Sequence, residues 1–559
     1  MMSLKKGILG AAFVFLGFAV LYPNPFGDNP DIIYDESYFL TSALSAIEHH
    51  TLPGWDFPES GTYYGGPQTY IDTLVIGAAL ATTLAFNDFS IVATKVWVAI
   101  HTGELLHLLR LVNGVLALCT ILFMLSYFKR KKIPQDLALT LALFLFLLLS
   151  NVLVIEFLHT AKVWALYILL FAAPAAIFMA YEYYRTKVGS PLMKKERYVA
   201  VLLWSGILAF FQSYFGAFSN LLLLVYAITL RHISLRDVFI HMKKYWGLLV
   251  AFAATQISFV YQAYRISGNF ADATTRTAEG AIDWATRLTK PLAYAVSGQP
   301  LSLLFVVAAV VTVTLLVYHG RSFADPHKRL FIAIACAHPL LTYLFFHVLL
   351  GLDIDPRYAI ALTVACAFSA AILVSEMGRK ATVSSLAIAV ALFVVVGAHS
   401  IMLYWQPSSE SVLRATIMEK YNSPENIFVI DHSARRMVLP VNKESLELLD
   451  EERRAMSRFK FLLEHKEAMP DLEFKALTFT AYRTEQQKEI LDRFGRGEYS
   501  AWIVSASCDR RCEPPEVEAG ACLEINITAC DAPTQEINTL PVFLSAEQLG
   551  YSYIVRKAY

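Results

Sequence analysis

Apolar runs about as long as a bilayer is thick constrain this chain more than any other feature. The segments GILGAAFVFLGFAVLY, LALTLALFLFLLLSNVLVI and SLLFVVAAVVTVTLLVY each approach the roughly 20 residues that a helix needs to cross a ~30 Å hydrocarbon core. They are not isolated. Hydrophobic residues make up 56% of the 559-residue chain and charged residues only 17%, where soluble domains carry about a quarter charged. Membrane helices are expected near 7–23, 69–86, 105–128, 136–156, 160–181, 198–214, 217–230, 245–264, 301–318, 329–350, 357–375 and 383–404. The formal net charge is zero, so there is no basic excess to bind nucleic acid.

Basic residues in short loops orient such a chain. KRKK (129–132), RTKVGSPLMKKER (185–197), RHISLRDVFIHMKK (231–244), HGRSFADPHKR (319–329) and EMGRK (376–380) all read as cytoplasmic. They alternate consistently from the third helix onward and leave the segment after Tyr404 outside. The first apolar run follows Lys5 and Lys6 and ends in LYPNPFGDNP without a small-residue cleavage site. It is therefore read as a retained helix with a cytoplasmic N-terminus rather than a signal peptide. An inside N-terminus and an outside C-terminus require an odd number of crossings, and the helices above number twelve. The mismatch falls between residues 62 and 105. Either DFSIVATKVWVAIHTG (88–103) also enters the membrane, or 69–86 does not cross fully.

Residues 1–405 thus read as one all-α polytopic domain, with outside loops at 24–68 and 265–300. Residues 406–559 read as a small extracytoplasmic α/β domain. There NIFVID and AWIVSAS have the composition of strands, while KESLELLDEERRAMSRFKFLLEHKEAM and TEQQKEILDRFGRG carry helical spacing. Cys508, Cys512, Cys522 and Cys530 cluster in this tail. An even set outside the cytoplasm favours two disulfides; zinc is the alternative, although the spacing lacks paired knuckles. Cys119, Cys336 and Cys366 fall in membrane helices and read as packing residues. The tripeptide NIT (526–528) matches a glycosylation sequon.

Four polar groups stand out at outside helix ends. In YDESYFLTSALSAIEHH, Asp35 and Glu36 open a helix whose apolar face is Phe39, Leu40, Ala43, Leu44 and Ile47. Such a helix lies in the membrane interface. The carboxylates there either cap it against the helix dipole or face a reaction at the membrane edge. Tyr63, Tyr64, Gly65 and Gly66 lead into a membrane helix. They form either a plain turn or a close backbone approach to a ligand, which glycine permits. Glu156, His159 and Lys162 share a helical side at the junction of two helices. Lys162 is there a snorkelling anchor or a phosphate ligand. Arg357 and Tyr358 open a late helix on the side where positive residues are sparse. Arg357 either pairs with Asp353 or Asp355 or binds an anion through its fork.

In this order the pieces resemble the GT-C superfamily of polytopic glycosyltransferases. The likeness is to the branch of protein O-mannosyltransferases and the lipid A aminoarabinose transferase. It rests on YDESYFLTSALSAIEHHTLPGWDFP, YYGGPQTYIDTLVIGAAL, LLRLVNGVLALCTILFMLSYFKRKK, FLHTAKVWALYILL and DPRYAIALTVACAF, and spans residues 7–404. One departure is visible. Many members carry a basic residue before the proline entering the second helix, where this chain has Gly65-Gly66-Pro67.

The resemblance implies a GT-C-like fold of about 11–13 transmembrane helices in the inner membrane. It also implies sugar transfer from a polyprenyl-phosphate donor to an extracytoplasmic lipid, glycan or protein acceptor, with inversion and without metal or nucleotide cofactor. Asp35 would be the general base, with Glu36 orienting it. Lys162 and Arg357, with His159 and Tyr358, would hold the donor phosphate. Tyr63, Tyr64, Gly65 and Gly66 would line the substrate. Two other classes fit many helices and an outer tail: a lipid or solute transporter, and a non-catalytic scaffold for envelope assembly. Transporters show internal repeats and mid-membrane charges; no clear repeat is visible in this sequence.

Overall fold

The structure is a computed structural model. It describes most of residues 40–52, residues 66–151 except 101, residues 154 and 158, residues 163–212, 217–257, 325–349 and 359–404, and five strands beyond residue 425. The described helices are α1 (Pro67–Phe86), α2 (Ile91–Ile100), α3 (Thr102–Arg130), α4 (Gln135–Leu149), α5 (Val163–Tyr183) and α6 (Lys195–Gln212). They continue as α7 (Ala217–Thr229), α8 (Leu235–Lys244), α9 (Trp246–Thr255), α10 (Pro326–Tyr343), α11 (Ala359–Glu376) and α12 (Arg379–Tyr404). Wider π-turns extend α5 over Tyr184–Val188 and α10 over Leu344–Leu349. The helices expected at 7–23 and 301–318 lie outside the described residues.

Five described helices are long and apolar enough to cross a membrane, namely Pro67–Phe86, Leu105–Arg130, Ala165–Val188, Pro326–Phe346 and Arg379–Ala398. This marks the protein as membrane-associated. Shorter apolar helices accompany them at Gln135–Leu149, Ala217–Thr229, Trp246–Thr255 and Ile360–Glu376. Exposed Leu74, Phe123, Phe239, Trp246, Leu248 and Val250 give the described helices apolar outer surfaces suited to lipid. The segment 88–103 holds a helix of 10 residues. Residue 101, between α2 and α3, lies outside the described residues.

The chain divides into two compact units. One comprises residues 1–21, 65–68 and 111–401 and contains most of the helices. Its centre is α5, the most thoroughly buried of the five long apolar helices. Tyr167, Phe171 and Phe178 are closed off from solvent along it. Interhelical hydrogen bonds hold α5 to its neighbours, as is common where lipid removes the hydrophobic drive between helices. Tyr167 bonds the Ser219 hydroxyl of α7 at 3.2 Å, and the Asn220 amide donates to the carbonyls of Leu170 and Ser205.

Contacts at the helix ends fix directions. Tyr181 near the end of α5 stacks on Tyr198 near the start of α6, with ring centroids 3.9 Å apart. Arg185 donates to the Leu230 carbonyl just beyond α7 at 2.9 Å. Glu182 meets His327 at the start of α10, whereas Phe171 meets His338 further along it. Lys328 pairs with Glu376 at the end of α11. So α5, α7 and α11 run one way, and α6 and α10 run the other. The Tyr184 hydroxyl donates to the Lys131 carbonyl beyond α3, and Arg379 lies 4.0 Å from Asp136 of α4. These contacts bring the end of α3 and the starts of α4 and α12 to the same end of the unit. Every basic segment that the sequence analysis reads as cytoplasmic therefore has described residues at one end of this unit.

The other unit comprises residues 22–64, 69–110 and 402–559. It contains the body of α1, helix α2 and a five-stranded sheet. The strands are β1 (Asn426–Ile430), β2 (Lys475–Thr478), β3 (Ser500–Ser507), β4 (Leu523–Ile527) and β5 (Ser552–Ala558), in the order β2-β1-β3-β5-β4. β1 lies parallel to β2 and β3, in register Ile427 with Lys475 and Phe428 with Trp502. β5 lies antiparallel to β3 and β4. The helices expected at 443–469 and 484–497, and the four tail cysteines, lie outside the described residues. Of the other cysteines, Cys366 is buried beside Leu362 and Tyr343, Cys336 is half-buried, and Cys119 is exposed on α3.

Candidate functional site

Asp35, Glu36, Tyr63, Tyr64, Gly65, His159, Lys162, Arg357 and Tyr358 lie outside the described residues. Gly66 is described, together with the chain positions that several of the others adjoin.

Gly66 begins the turn into α1 with φ of +102°, and a Cβ there would stand 2.3 Å from the Phe211 carbonyl oxygen. Only glycine fits both the left-handed backbone and that approach. The next residues continue the lock. The Gln68 amide N–H donates to Gln212 Oε1 at 2.9 Å, and its side-chain amide donates to Asn113 Oδ1 at 2.9 Å. The close approach that the sequence analysis allowed for a ligand is thus made by Phe211 of the chain itself. The turn is pinned to the end of α6 and to α3.

The helix after the Asp-Glu pair is described at Leu40, Ser42–Leu44, Ala46 and Ile47. Leu40 and Ala43 are buried, and Leu44 and Ile47 half-buried. Ile47 Cδ1 would lie 3.9 Å from a Cβ on Gly77, so this apolar face packs on α1. His50 closes the helix in the left-handed region (φ 53°), while Thr51 N–H donates to the Ala46 carbonyl at 3.1 Å. That is a common way for a helix to end.

Within the larger unit, Val163 begins α5 and Ala359 begins α11. These two helices run parallel, so both starts lie at the end of the unit opposite its basic segments. The Gly66–Gln68 turn meets α6 at Gln212, while Tyr198 lies at the basic end of the same helix. Fourteen helical steps lead from Tyr198 to Gln212, about 21 Å.

The basic end carries a constellation that sequence reasoning missed. Glu182, at the end of α5, is buried and meets two imidazoles. His232 Nε2 lies 2.5 Å from Oε2, and His327 Nε2 lies 2.7 Å from Oε1. Three separate elements supply these groups: the end of α5, the turn between α7 and α8, and the first turn of α10. Local chemistry sets each one. Asp325 caps α10 by accepting from His327 N–H at 2.9 Å, with Pro326 in the first turn. Ser234 caps α8 in a reciprocal box with Asp237, which fixes the chain just after His232. The Tyr198 hydroxyl lies 3.5 Å from His232 Nδ1. Burial pushes the proton affinity of His232 down, and the Glu182 carboxylate partly offsets this. Side-chain exposure is 0% for His232, 4% for Glu182 and 28% for His327, so the cluster opens to solvent on the His327 side. The only hints in the sequence are a glutamate at a helix end and a histidine in each of two basic loops, separated by 50 and 95 positions and belonging to no local motif.

No family model, curated protein or solved structure matches the chain.

Proposed function

We propose that the protein is a membrane glycosyltransferase that moves a sugar from a polyprenyl-phosphate donor to an acceptor hydroxyl outside the cytoplasmic membrane. The observation that carries this reading is the order of its motifs: an Asp-Glu pair opening an apolar helix, a Gly-Pro turn into a membrane helix, a Lys162 helix start, and a late Arg357-Tyr358 helix start. Two features of the structure support it. The starts of α5 and α11, which follow Lys162 and Tyr358 directly, share one end of their unit. The basic segments gather at the other end, which the positive-inside tendency makes cytoplasmic. The tail is then outside, and Lys5 and Lys6 ahead of the first apolar run put the N-terminus in the cytoplasm.

In the mechanism, Asp35 accepts the proton of the acceptor hydroxyl, the usual work of a general base. The freed oxygen attacks the anomeric carbon as the bond from that carbon to the phosphate oxygen breaks. The single displacement inverts the centre. Charge grows on the departing polyprenyl phosphate, and Lys162 and Arg357 stabilise it where it develops, assisted by His159 and Tyr358. Glu36 orients Asp35, and Tyr63, Tyr64 and Gly65 line the acceptor path. No nucleotide enters the reaction.

The tail is proposed to be a small α/β domain. Its parallel pairs support this, because parallel strands need a crossover of a dozen or more residues, usually a helix. The β1–β2 connection has 44 residues (431–474) and the β2–β3 connection 21 (479–499).

The test is incubation of the purified, lipid-reconstituted chain with radiolabelled polyprenyl-phosphate sugars and envelope lipid, glycan and protein fractions. The proposal predicts label in an acceptor together with free polyprenyl phosphate. A chain that moves intact lipid or solute across the bilayer and cleaves no donor would be a transporter instead.

A further inference from the structure

The cluster at the basic end of the larger unit places two imidazole nitrogens and one carboxylate around a common point. His232 Nε2, His327 Nε2 and a Glu182 oxygen all lie within 4.8 Å of one another. We propose that Glu182, His232 and His327 form a binding site for a borderline divalent transition cation, Zn2+ in the first place, which ties the end of α5, the α7–α8 turn and the start of α10 together. This inference does not depend on the sugar-transfer reading. It concerns the opposite end of the unit and a structural role.

The donor set decides the class of ion. Two imidazoles and one carboxylate are borderline ligands that suit Zn2+ and its neighbours. Calcium and magnesium favour oxygen donors throughout. Access decides how the site fills. His232 and Glu182 are closed off, while His327 keeps 28% of its side chain exposed. An ion would enter from that side and keep a water in the fourth position of a tetrahedron. The groups behind the ligands also fit. Once a cation takes Nε2, the His232 proton moves to Nδ1, and the Tyr198 hydroxyl is the group placed to accept it there. Such outer partners orient metal-bound histidines. The alternative is a plain hydrogen-bonded bridge, with one carboxylate accepting from two imidazoles. The two arrangements use the same atoms, so binding must separate them.

The experiment uses the full-length chain, purified in detergent, stripped with a chelator and checked for a monodisperse profile. It is then titrated with Zn2+ and, separately, Co2+. The proposal predicts about one tight Zn2+ per chain, a rise in unfolding temperature on binding, and visible Co2+ absorption typical of nitrogen and oxygen ligands without a thiolate band. His327→Ala should weaken Zn2+ binding at least tenfold. His327→Cys should restore Zn2+ binding and introduce the thiolate band, which a hydrogen-bonded bridge would not do. His327 is the most exposed of the three, so these variants are the least prone to misfold. If His327→Ala stays monodisperse and binds Zn2+ as the native chain does, or if the native chain binds none, the proposal fails. A thiolate band in the native chain would locate the bound ion at cysteines and overturn it equally.

Discussion

At the scale of single residues, Gly66 and Glu182 show two ways in which a side chain becomes irreplaceable. Gly66 is needed for what it lacks. Its φ of +102° and the Phe211 carbonyl 2.3 Å from any Cβ make Gly66→Ala costly, on the order of 2 kcal/mol from strain alone. Thermal unfolding of the purified variant should show this as a lower midpoint, and an unchanged midpoint would mean that the turn does not pack on α6 as described. Sequence reading marked Gly66 as special but left a plain turn and a ligand approach both open, because a glycine pair before a proline does not say what comes close to it. Glu182 is needed for what it holds. Its partners are far away in the chain: antiparallel packing of α5 against α10 brings in His327, and α7 running alongside α5 brings in His232. Glu182→Leu removes the acceptor and leaves the buried His232 imidazole, with half-buried His327 beside it, facing an apolar side chain. Unsatisfied buried groups cost roughly 1–3 kcal/mol each, so this variant should unfold earlier than His327→Ala in the same thermal assay.

At the scale of elements, α8 is the best test of local rules. Ser234 and Asp237 cap each other reciprocally, and Asp237 also bonds Lys195 at the start of α6 at 2.6 Å. Replacing a capping serine with alanine costs about 1 kcal/mol, so Ser234→Ala should speed amide exchange across α8 while leaving α5 protected. Lys195 first, and Ser234 next, hold the Asp237 carboxyl down at about 2, below the roughly 3.9 of an unfolded aspartate. A depressed carboxylate stabilises above its unfolded value and stops doing so as pH falls through its folded value. Protection of α8, corrected for intrinsic exchange, should therefore weaken between about pH 4 and pH 2. Constant protection over that range would exclude the Asp237 contacts as its support. Helix positions were largely legible in the sequence, because apolar runs and basic loops mark them. The expected 160–181 is Val163–Tyr183, and 217–230 is Ala217–Thr229. The expected 88–103 segment has described helix at Ile91–Ile100.

At the scale of the whole molecule, the account depends on sidedness and on transfer. Exposed Lys131 and Lys187 lie at the basic end of the larger unit. In a chain whose native cysteines have been replaced, single cysteines at these two positions should react with a membrane-impermeant thiol reagent only in inverted vesicles. Reaction in intact cells would reverse the orientation. The helical class and the gathering of basic loops at one end could be read from hydropathy and charge, since both are local properties summed along the chain. The Glu182, His232 and His327 cluster could not, since it exists only where three helix ends meet. The measurement that bears most directly on the central claim is sugar transfer from polyprenyl-phosphate donors by membranes holding equal amounts of folded native chain or Asp35→Asn. The account predicts transfer by the native chain and a loss of at least about a hundredfold in the variant, the usual contribution of a general base. Undiminished transfer by Asp35→Asn would contradict it and leave the Asp-Glu pair with a helix-capping role.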